Sequence, residues 1–351
     1  MSTPAIQRGF GLWLVAALAA AALAFFGLHR GLGPPGDTQR PPERLGSVGP
    51  QAVTALLLDG DTLRVGDAAG RVFALDLMSG EARGHFVAHD GVVRRLLLAS
   101  GQTGLETVDA GVAGGPRLVT VGADGTVAEF TLDGAPLGRA RLPDARLNDA
   151  ALRAGAVFVA ADQGLVARLG SAETAWRLPA LHGKAAFAVA LSPDGAMLAS
   201  GGSDGWVRLT SAGTGEVAVA FEARSPWITH LRWTPEGLWT FGSDGQFARW
   251  SVTAEGYIHD RTVSGHAGPI VAVDLDDAAL LTGSEDGTAR LWDRQTAAPR
   301  ALFEAGAPVR SVALGPQAVY IGTIDGLLRR FPRAGGAAAQ TYSLTPTTGR
   351  P

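Results

Sequence analysis

The sequence predicts an all-β chain. It reads as a seven-bladed β-propeller of four-stranded antiparallel blades, preceded by one N-terminal transmembrane helix. Three observations carry this. A glycine turn recurs at Gly70, Gly125, Gly164, Gly205, Gly245, Gly287 and Gly326, a period near 40 residues that marks an array of equivalent units. Between the turns, apolar residues alternate in short runs with no sustained helical period, the pattern of strands joined by hairpins. Ahead of the array, residues 9–28 form one uncharged, apolar stretch.

Taken in chain order, residues 1–8 are a short tail ending at Arg8. At 1.5 Å per residue, residues 9–28 would span about 30 Å as a helix, the thickness of the hydrocarbon core. The reading is a signal-anchor, with Trp13 near one end and His29-Arg30 closing the other. The alternative is a secretory signal cut after Ala24, but the apolar run continues through Phe25 and Phe26. The short tail favours export of the downstream chain, so the propeller is expected on the periplasmic or exported side. Arg30, Arg40 and Arg44 beyond the run favour the opposite, cytoplasmic placement. Residues 29–49 are a proline-rich, semi-extended linker.

Residues 50–333 carry the blades. The sixth shows the pattern most fully: an alternating run over 270–275, a second over 280–284, the Asp286-Gly287 turn, and a third run ending at Trp292. Glycine at such a turn supplies the positive φ that tight hairpins need. Units of this size, each four strands, protect their edges by closing into a ring. The first interval exceeds the others by about 15 residues, read as an extended hairpin loop over 100–116 in blade two. Residues 334–351 are a tail or a closing strand; the outer strand of the last blade comes either from 340–344 or from 44–48.

Composition narrows the function. Forty-eight glycines and 46% hydrophobic residues describe a turn-rich chain with a large core, not a disordered one. A net charge of −3 gives no electrostatic case for nucleic acid. The absence of cysteine removes disulfides, thiolate metal sites, iron–sulfur clusters and cysteine nucleophiles.

Gly265-His266, Asp286-Gly287 and Trp292-Asp293 together resemble the WD-repeat family. The resemblance extends more weakly over 50–333. Position by position with Trp292, the other blades carry Leu75, Phe130, Leu169, Thr210, Trp250 and Phe331. Only His89 and His182 match His266, and Ala69 and Gln163 stand where the hinge aspartate is expected. The resemblance implies a hydrogen-bonded structural tetrad of His266, Thr282 or Ser284, Asp286 and Trp292. It also implies a non-catalytic protein-interaction scaffold.

The rival reading is a propeller enzyme, a hydrolase or lyase or a quinone-cofactor protein, with a site at the central channel. Gly201-Gly202-Ser203-Asp204-Gly205 fits a G-x-S-x-G pattern, but that motif needs a strand-to-helix elbow and here sits in the repeated hairpin. Residues 70–81 are similar to a quinoprotein-type repeat, over one blade only. The histidines lack metal-ligand spacing. No catalytic residue, metal or cofactor is expected.

Function is therefore sought where the copies differ. Aligning the blades on Pro269-Ile270-Val271 places Arg94, Arg146, Asn148, Phe187, Trp227, Glu285 and Arg310 on one face. Arginine and tryptophan dominate protein–protein hot spots. The expected partner is a peptide or protein, acidic or mixed in charge and membrane-associated. The competing reading packs Phe187 and Trp227 between blades.

Overall fold

The computed structural model describes residues 51–99, 115–153, 155–170, 175–253, 256–338 and 340–344. The expected anchor at 9–28, the linker at 29–49 and nearly all of the blade-two insertion lie outside these residues. Among the described residues, no helix is long and apolar enough to cross a membrane.

Among the described residues, twenty-eight strands form seven four-stranded antiparallel sheets, each contiguous in sequence. The blades are 53–87, 93–141, 147–178, 186–222, 228–264, 270–304 and 309–343. The first strand of each blade touches the first strand of the next. Contacts between Val53–Asp59 and Val309–Leu314 complete the circle, so these are the inner strands about a central axis. Burial follows from that position. The second strands are almost wholly buried, as in Arg117–Gly122 and Ala279–Ser284. The outer strands are mostly exposed, and those of blades four and six each bury one phenylalanine, Phe221 and Phe303. Each such side chain contributes about 1.5–3 kcal/mol on burial.

Blade seven takes its outer strand from Gln340–Ser343, which settles the two alternatives in favour of the C-terminal segment. Among the described strands, none is shared between the chain ends. The ring closes instead through a seam like its other seams. A glycine late in a second strand abuts a β-branched residue that opens the next inner strand, so that a Cβ on Gly66 would lie 2.7 Å from Val93, on Gly201 2.6 Å from Ile228, and on Gly283 2.6 Å from Val309. Gly322 meets Val53 in the same way at 2.3 Å, and the closing seam adds Phe73, Tyr320 and Tyr342 to one apolar cluster.

The recurring hinge glycine has two reasons to be glycine. Gly70 and Gly245 have φ of 83° and 76°. A Cβ there would strike the carbonyl oxygen of His89 at 1.9 Å or His266 at 2.2 Å. The hinge carbonyl also accepts the chain entering the next blade, as Ala88 N to Gly70 O at 2.8 Å and Gly265 N to Gly245 O at 3.0 Å.

The expected tetrad forms in blade six from Asp286, His266, Thr282 and Trp292. His266 Nδ1 lies 3.2 Å from Asp286 Oδ2, and its Nε2 lies 2.7 Å from Thr282 Oγ1. Trp292 Nε1 donates to the same hydroxyl at 2.9 Å. These partners fix a neutral imidazole protonated at Nδ1, with the Thr282 hydroxyl donating to Nε2. Ser284 stands outside this chain of bonds. It donates to Gly268 O at 3.0 Å and accepts Asp286 N at 3.1 Å, pinning the hairpin. Blade two repeats the His89–Asp124 and His89–Thr120 contacts, and blade four those of His182 with Asp204 and Ser200. Blade five keeps Trp250 on Thr240 but replaces the histidine with Ser225. In blade one the missing hinge aspartate is supplied two residues earlier. Asp67 accepts Ala69 N and Arg71 N, both at 2.9 Å, and Arg71 Nε at 2.6 Å.

Thr282 is fully buried, and its hydroxyl both donates to His266 and accepts from Trp292. Thr282→Val should lower unfolding stability by about 1–3 kcal/mol, the cost of orphaned buried polar groups, and Thr282→Ser should restore most of it. Urea denaturation checks this; a valine variant as stable as wild type would contradict the role given to the tetrad.

Burial pushes His182 and His266 below the ordinary histidine value, only partly offset by Asp204 and Asp286. An unfolded histidine titrates near 6.5, so below that pH the unfolded chain binds more protons than the folded one. The histidine contribution is complete above about pH 6.5 and is lost as pH falls below it. Asp204, held at about 2 against burial by hydrogen bonds from His182, Arg208 and the Trp206 amide, does not titrate in this window. The urea midpoint should fall from pH 7 to pH 5.5, and a His182→Gln/His266→Gln double variant should show a flatter profile. A flat wild-type profile would rule the linkage out.

Candidate functional site

Every inner strand opens with the same irregularity. The pairing with the second strand skips one residue: Thr54, Arg94, Asn148, Phe187, Thr229, Val271 and Arg310 in blades one to seven. A β-bulge leaves one residue unpaired and re-aims its side chain. Four of the seven site residues expected from sequence, Arg94, Asn148, Phe187 and Arg310, occupy these bulges. Arg146 and Trp227 lie two residues before a bulge, and Glu285 lies in the adjoining hinge turn. All seven thus sit at one end of the ring, around one mouth of the axial channel.

Their roles differ. The Asn148 amide donates to Ala186 O at 2.9 Å and to Asp162 Oδ1 at 3.0 Å, bracing blade three against blade four. Thr54 does the same to Val93 O at 2.7 Å and Thr229 to Ile270 O at 2.6 Å. Arg310 Nη1 lies 2.5 Å from Glu285 Oε1. Phe187 and Trp227 tilt against each other with centroids 6.2 Å apart. Both stay half-buried, so they pack across the seam of blades four and five and still present surface at the mouth. Arg94 reaches inward from blade two. Burial disfavours its charge, Asp162 offsets this, and Arg146 and Arg310 oppose the charge further. Those three arginines come from blade two, the entry to blade three, and blade seven. Arg94 and Arg310 stand at the bulges of their inner strands and Arg146 two residues before the bulge at Asn148, so all three lie at the same end of their blades.

Deeper in the channel lies a second group that the sequence did not single out: Arg95, Asp149, His230, Arg232 and Asp274. They occupy the first and third positions after the bulge on blades two, three, five and six. Arg95 acts electrostatically on His230, Arg232 and Asp274, whose blades do not adjoin its own. Such coupling is possible only across the axis. Most of the group is committed to backbone. Asp149 accepts Val189 N at 3.2 Å and lies 3.5 Å from Arg95 Nε. Asp274 accepts Leu314 N at 2.7 Å. Arg232 donates to Leu231 O and Val273 O, both at 2.8 Å. Burial, then Arg232 and Arg95, hold His230 well below the histidine range and therefore neutral at pH 7. Among the described residues no group of three His, Asp or Glu side chains could hold a metal. The only sequence signal for this girdle was its position beside the bulge, and the bulge itself leaves no mark in a single sequence.

Ser203 belongs to a hairpin, as expected: it accepts Ala185 N at 3.0 Å and donates to His182 O at 3.4 Å. It faces backbone rather than a general base.

Two family models match the chain. One, described as the anaphase-promoting complex subunit 4 WD40 domain, matches residues 156–236. The other, described as WD domain, G-beta repeat, matches residues 259–293 and so includes the blade-six tetrad. Among curated relatives, the pre-rRNA-processing protein IPI3 of Mycosarcoma maydis is 29% identical over 150 residues, covering 36% of this chain and 26% of that protein. The DENN domain and WD repeat-containing protein SCD1 of Arabidopsis thaliana is 27% identical over 150 residues, covering 41% and 12%. Eukaryotic translation initiation factor 3 subunit I of Xenopus tropicalis is 37% identical over 89 residues, covering 24% and 26%. The matched region spans about a quarter or less of each relative's own length. Among solved structures, the computationally designed Ika8 protein superimposes with a TM-score of 0.59 at 20% identity, over 84% of this chain and 89% of that one. That likeness concerns the fold alone. Together these matches support the WD40-repeat propeller family over the middle blades and agree with the residues that first suggested it.

Proposed function

We propose that this chain is a non-catalytic interaction scaffold that binds a peptide or protein segment across the bulge-lined mouth of its propeller. The observation that carries the reading is the division of labour among the bulges. Thr54, Asn148 and Thr229 brace the next blade, whereas Arg94, Phe187 and Arg310 gather with Arg146 and Trp227 around one opening. Aromatic and arginine side chains in a partly desolvated rim are what interface hot spots use. WD40-type propellers typically serve as interaction scaffolds, and relatives named as a translation-factor subunit and a pre-rRNA-processing protein suit that role. The channel carboxylates support the same reading, since Asp149 and Asp274 are occupied by backbone N–H groups.

The chain enters the propeller at this same face, because Val53 opens the first inner strand beside the bulge at Thr54. The charge-free run at 9–28 is read as a single-pass anchor, with the propeller on the exported side. An anchor of that kind favours a membrane-associated partner.

A Trp227→Ala/Arg310→Glu double variant should keep its thermal unfolding profile and lose partner recovery in affinity purification from solubilised membranes. Equal recovery by a folded double variant would remove this face from consideration. For sidedness, protease added to intact spheroplasts should degrade the propeller; protection until lysis would place it in the cytoplasm.

A further inference from the structure

The seams between blades are not equally laced. From axis to rim, blade three is bonded to blade four: Asn148 Nδ2 to Ala186 O at 2.9 Å, Val189 N to Asp149 Oδ2 at 3.2 Å and Trp176 Nε1 to Ala212 O at 3.2 Å. Blade five is bonded to blade six in the same way, Thr229 to Ile270 O at 2.6 Å, Arg232 to Val273 O at 2.8 Å and Arg249 to Gln295 O at 3.0 Å. The other seams carry at least one such link each: Thr54 on Val93 O, Arg95 with Asp149, Leu314 N on Asp274 and Ser311 on Val53 O. Blades four and five differ. Among the described residues, no side-chain hydrogen bond or ion pair crosses from one to the other; Arg208 and Ser225 are spent inside their own blades, on Asp204 and Asp244. This seam is held by apolar contact. Near the axis Ile228 meets Gly201, and Leu209 and Leu231 share one buried cluster. At the mouth Phe187 tilts on Trp227 at 6.2 Å. At the rim Phe221 packs on Trp250 at 4.7 Å and stacks on Tyr257 at 4.2 Å.

The two kinds of contact tolerate displacement differently. An N–H···O bond is favourable over about 0.5 Å of donor–acceptor distance and weakens steeply when bent. An aromatic pair stays favourable with its centroids anywhere from about 4.5 to 7 Å apart, offset, tilted or edge-on. A shift of about 1–2 Å, the usual amplitude of shear between packed elements, would break a hydrogen-bonded seam but keep aromatic faces in contact. We propose that the seam between blades four and five is the sliding joint of the ring. The other six seams form one laced arc, like a split washer whose two ends meet at this joint. A slide of about 1–2 Å there is shared among six seams at about 0.3 Å each, inside the tolerance of their bonds. The setting of the joint is held at the mouth by Phe187 on Trp227 and at the rim by Tyr257 on Phe221. A ligand that grips the two mouth aromatics therefore fixes the relative position of the two outer strands. That last consequence rests on the mouth being the binding face; the joint itself does not.

The chain contains no cysteine, so spin labels can be introduced in chosen pairs. Ala220, Thr262 and Leu302 occupy the same exposed site on the outer strands of blades four, five and six, opposite Arg208, Ala248 and Arg290. Double electron–electron resonance on the full chain in detergent would compare Ala220→Cys/Thr262→Cys, across the joint, with Thr262→Cys/Leu302→Cys, across a laced seam. The distance distribution across the joint should be the broader by about 1–2 Å. Trp227→Ala should broaden it further and leave the laced seam unchanged. Tyr257→Ala, which removes a half-exposed ring at the rim, should do the same and serves if Trp227→Ala unfolds. Equal widths at the two seams overturn the proposal. So does a distribution across the joint that neither Trp227→Ala nor Tyr257→Ala changes. No partner enters the measurement, so a failed joint leaves the binding face standing, and a failed binding face leaves the joint.

Discussion

Seven sheets stand with one edge on a common axis, and the unpaired backbone of those inner edges is the constraint around which the rest of the molecule is arranged. An inner strand has a ladder partner on one side only. Its other N–H and C=O groups would be orphaned in a confined channel, at a cost folded proteins rarely accept. Here the preceding blade reaches across to satisfy them. Thr54, Asn148, Thr229 and Ser311 each donate to the first carbonyl of the next inner strand, Ser311 doing so to Val53 O at 2.9 Å. Asp149, Asp274 and Arg232 do the same deeper in. Ring closure is thus not a special event. The last seam uses a serine-to-carbonyl bond and a glycine–valine contact of the kind used at other seams.

The bulge at the head of every inner strand makes this possible. A regular strand would turn its opening side chains alternately toward the two neighbouring blades. Skipping one residue releases a side chain at the mouth, in the same place seven times. Where that residue is a threonine or asparagine, it closes the seam. Where it is Arg94, Phe187 or Arg310, the mouth instead receives charge or aromatic surface, and the seam is held by other means. Arg95 with Asp149 joins blades two and three, and Asp274 with Leu314 joins six and seven. The surface shown at the mouth and the cohesion of the ring therefore draw on the same positions: Thr54, Asn148 and Thr229 brace a seam, Arg94 and Arg310 turn to the mouth, and Phe187 does both.

That division explains which parts of the molecule were legible in the sequence. The period, the hinge glycines and the blade-six tetrad are local patterns, each fixed by a turn or a buried hydrogen bond within one repeat, so they could be read directly. The face carrying Arg94 and Trp227 could be read because it emerges from aligning the copies. Three things were hidden. Asp67 performs the hinge role from two positions earlier, which no alignment on Ala69 would show. Asn148 looked like a ligand contact, yet its amide is consumed by Ala186 O of the next blade. The girdle of Arg95, Asp149, His230, Arg232 and Asp274 is assembled from blades far apart in sequence, and only ring closure brings those groups within electrostatic reach of one another.

The girdle also bears on the rival enzymatic reading, which expected converging carboxylate and histidine groups at the channel. Such groups are present, with burial pushing Asp274 up and His230 down, yet among the described residues the two are not hydrogen-bonded to each other. A catalytic pair needs one group poised to give a proton and another free to take it, both facing an open position. Asp149 and Asp274 are held by backbone amides of the next blade, so their lone pairs serve the seam. His230 is kept neutral by burial and by two arginines, and no carboxylate among the described residues is hydrogen-bonded to it to raise its basicity. Charge in the channel is thus matched in sign to the backbone dipoles it meets: carboxylates on N–H groups, a guanidinium on carbonyls. Chemistry of that kind holds a ring together.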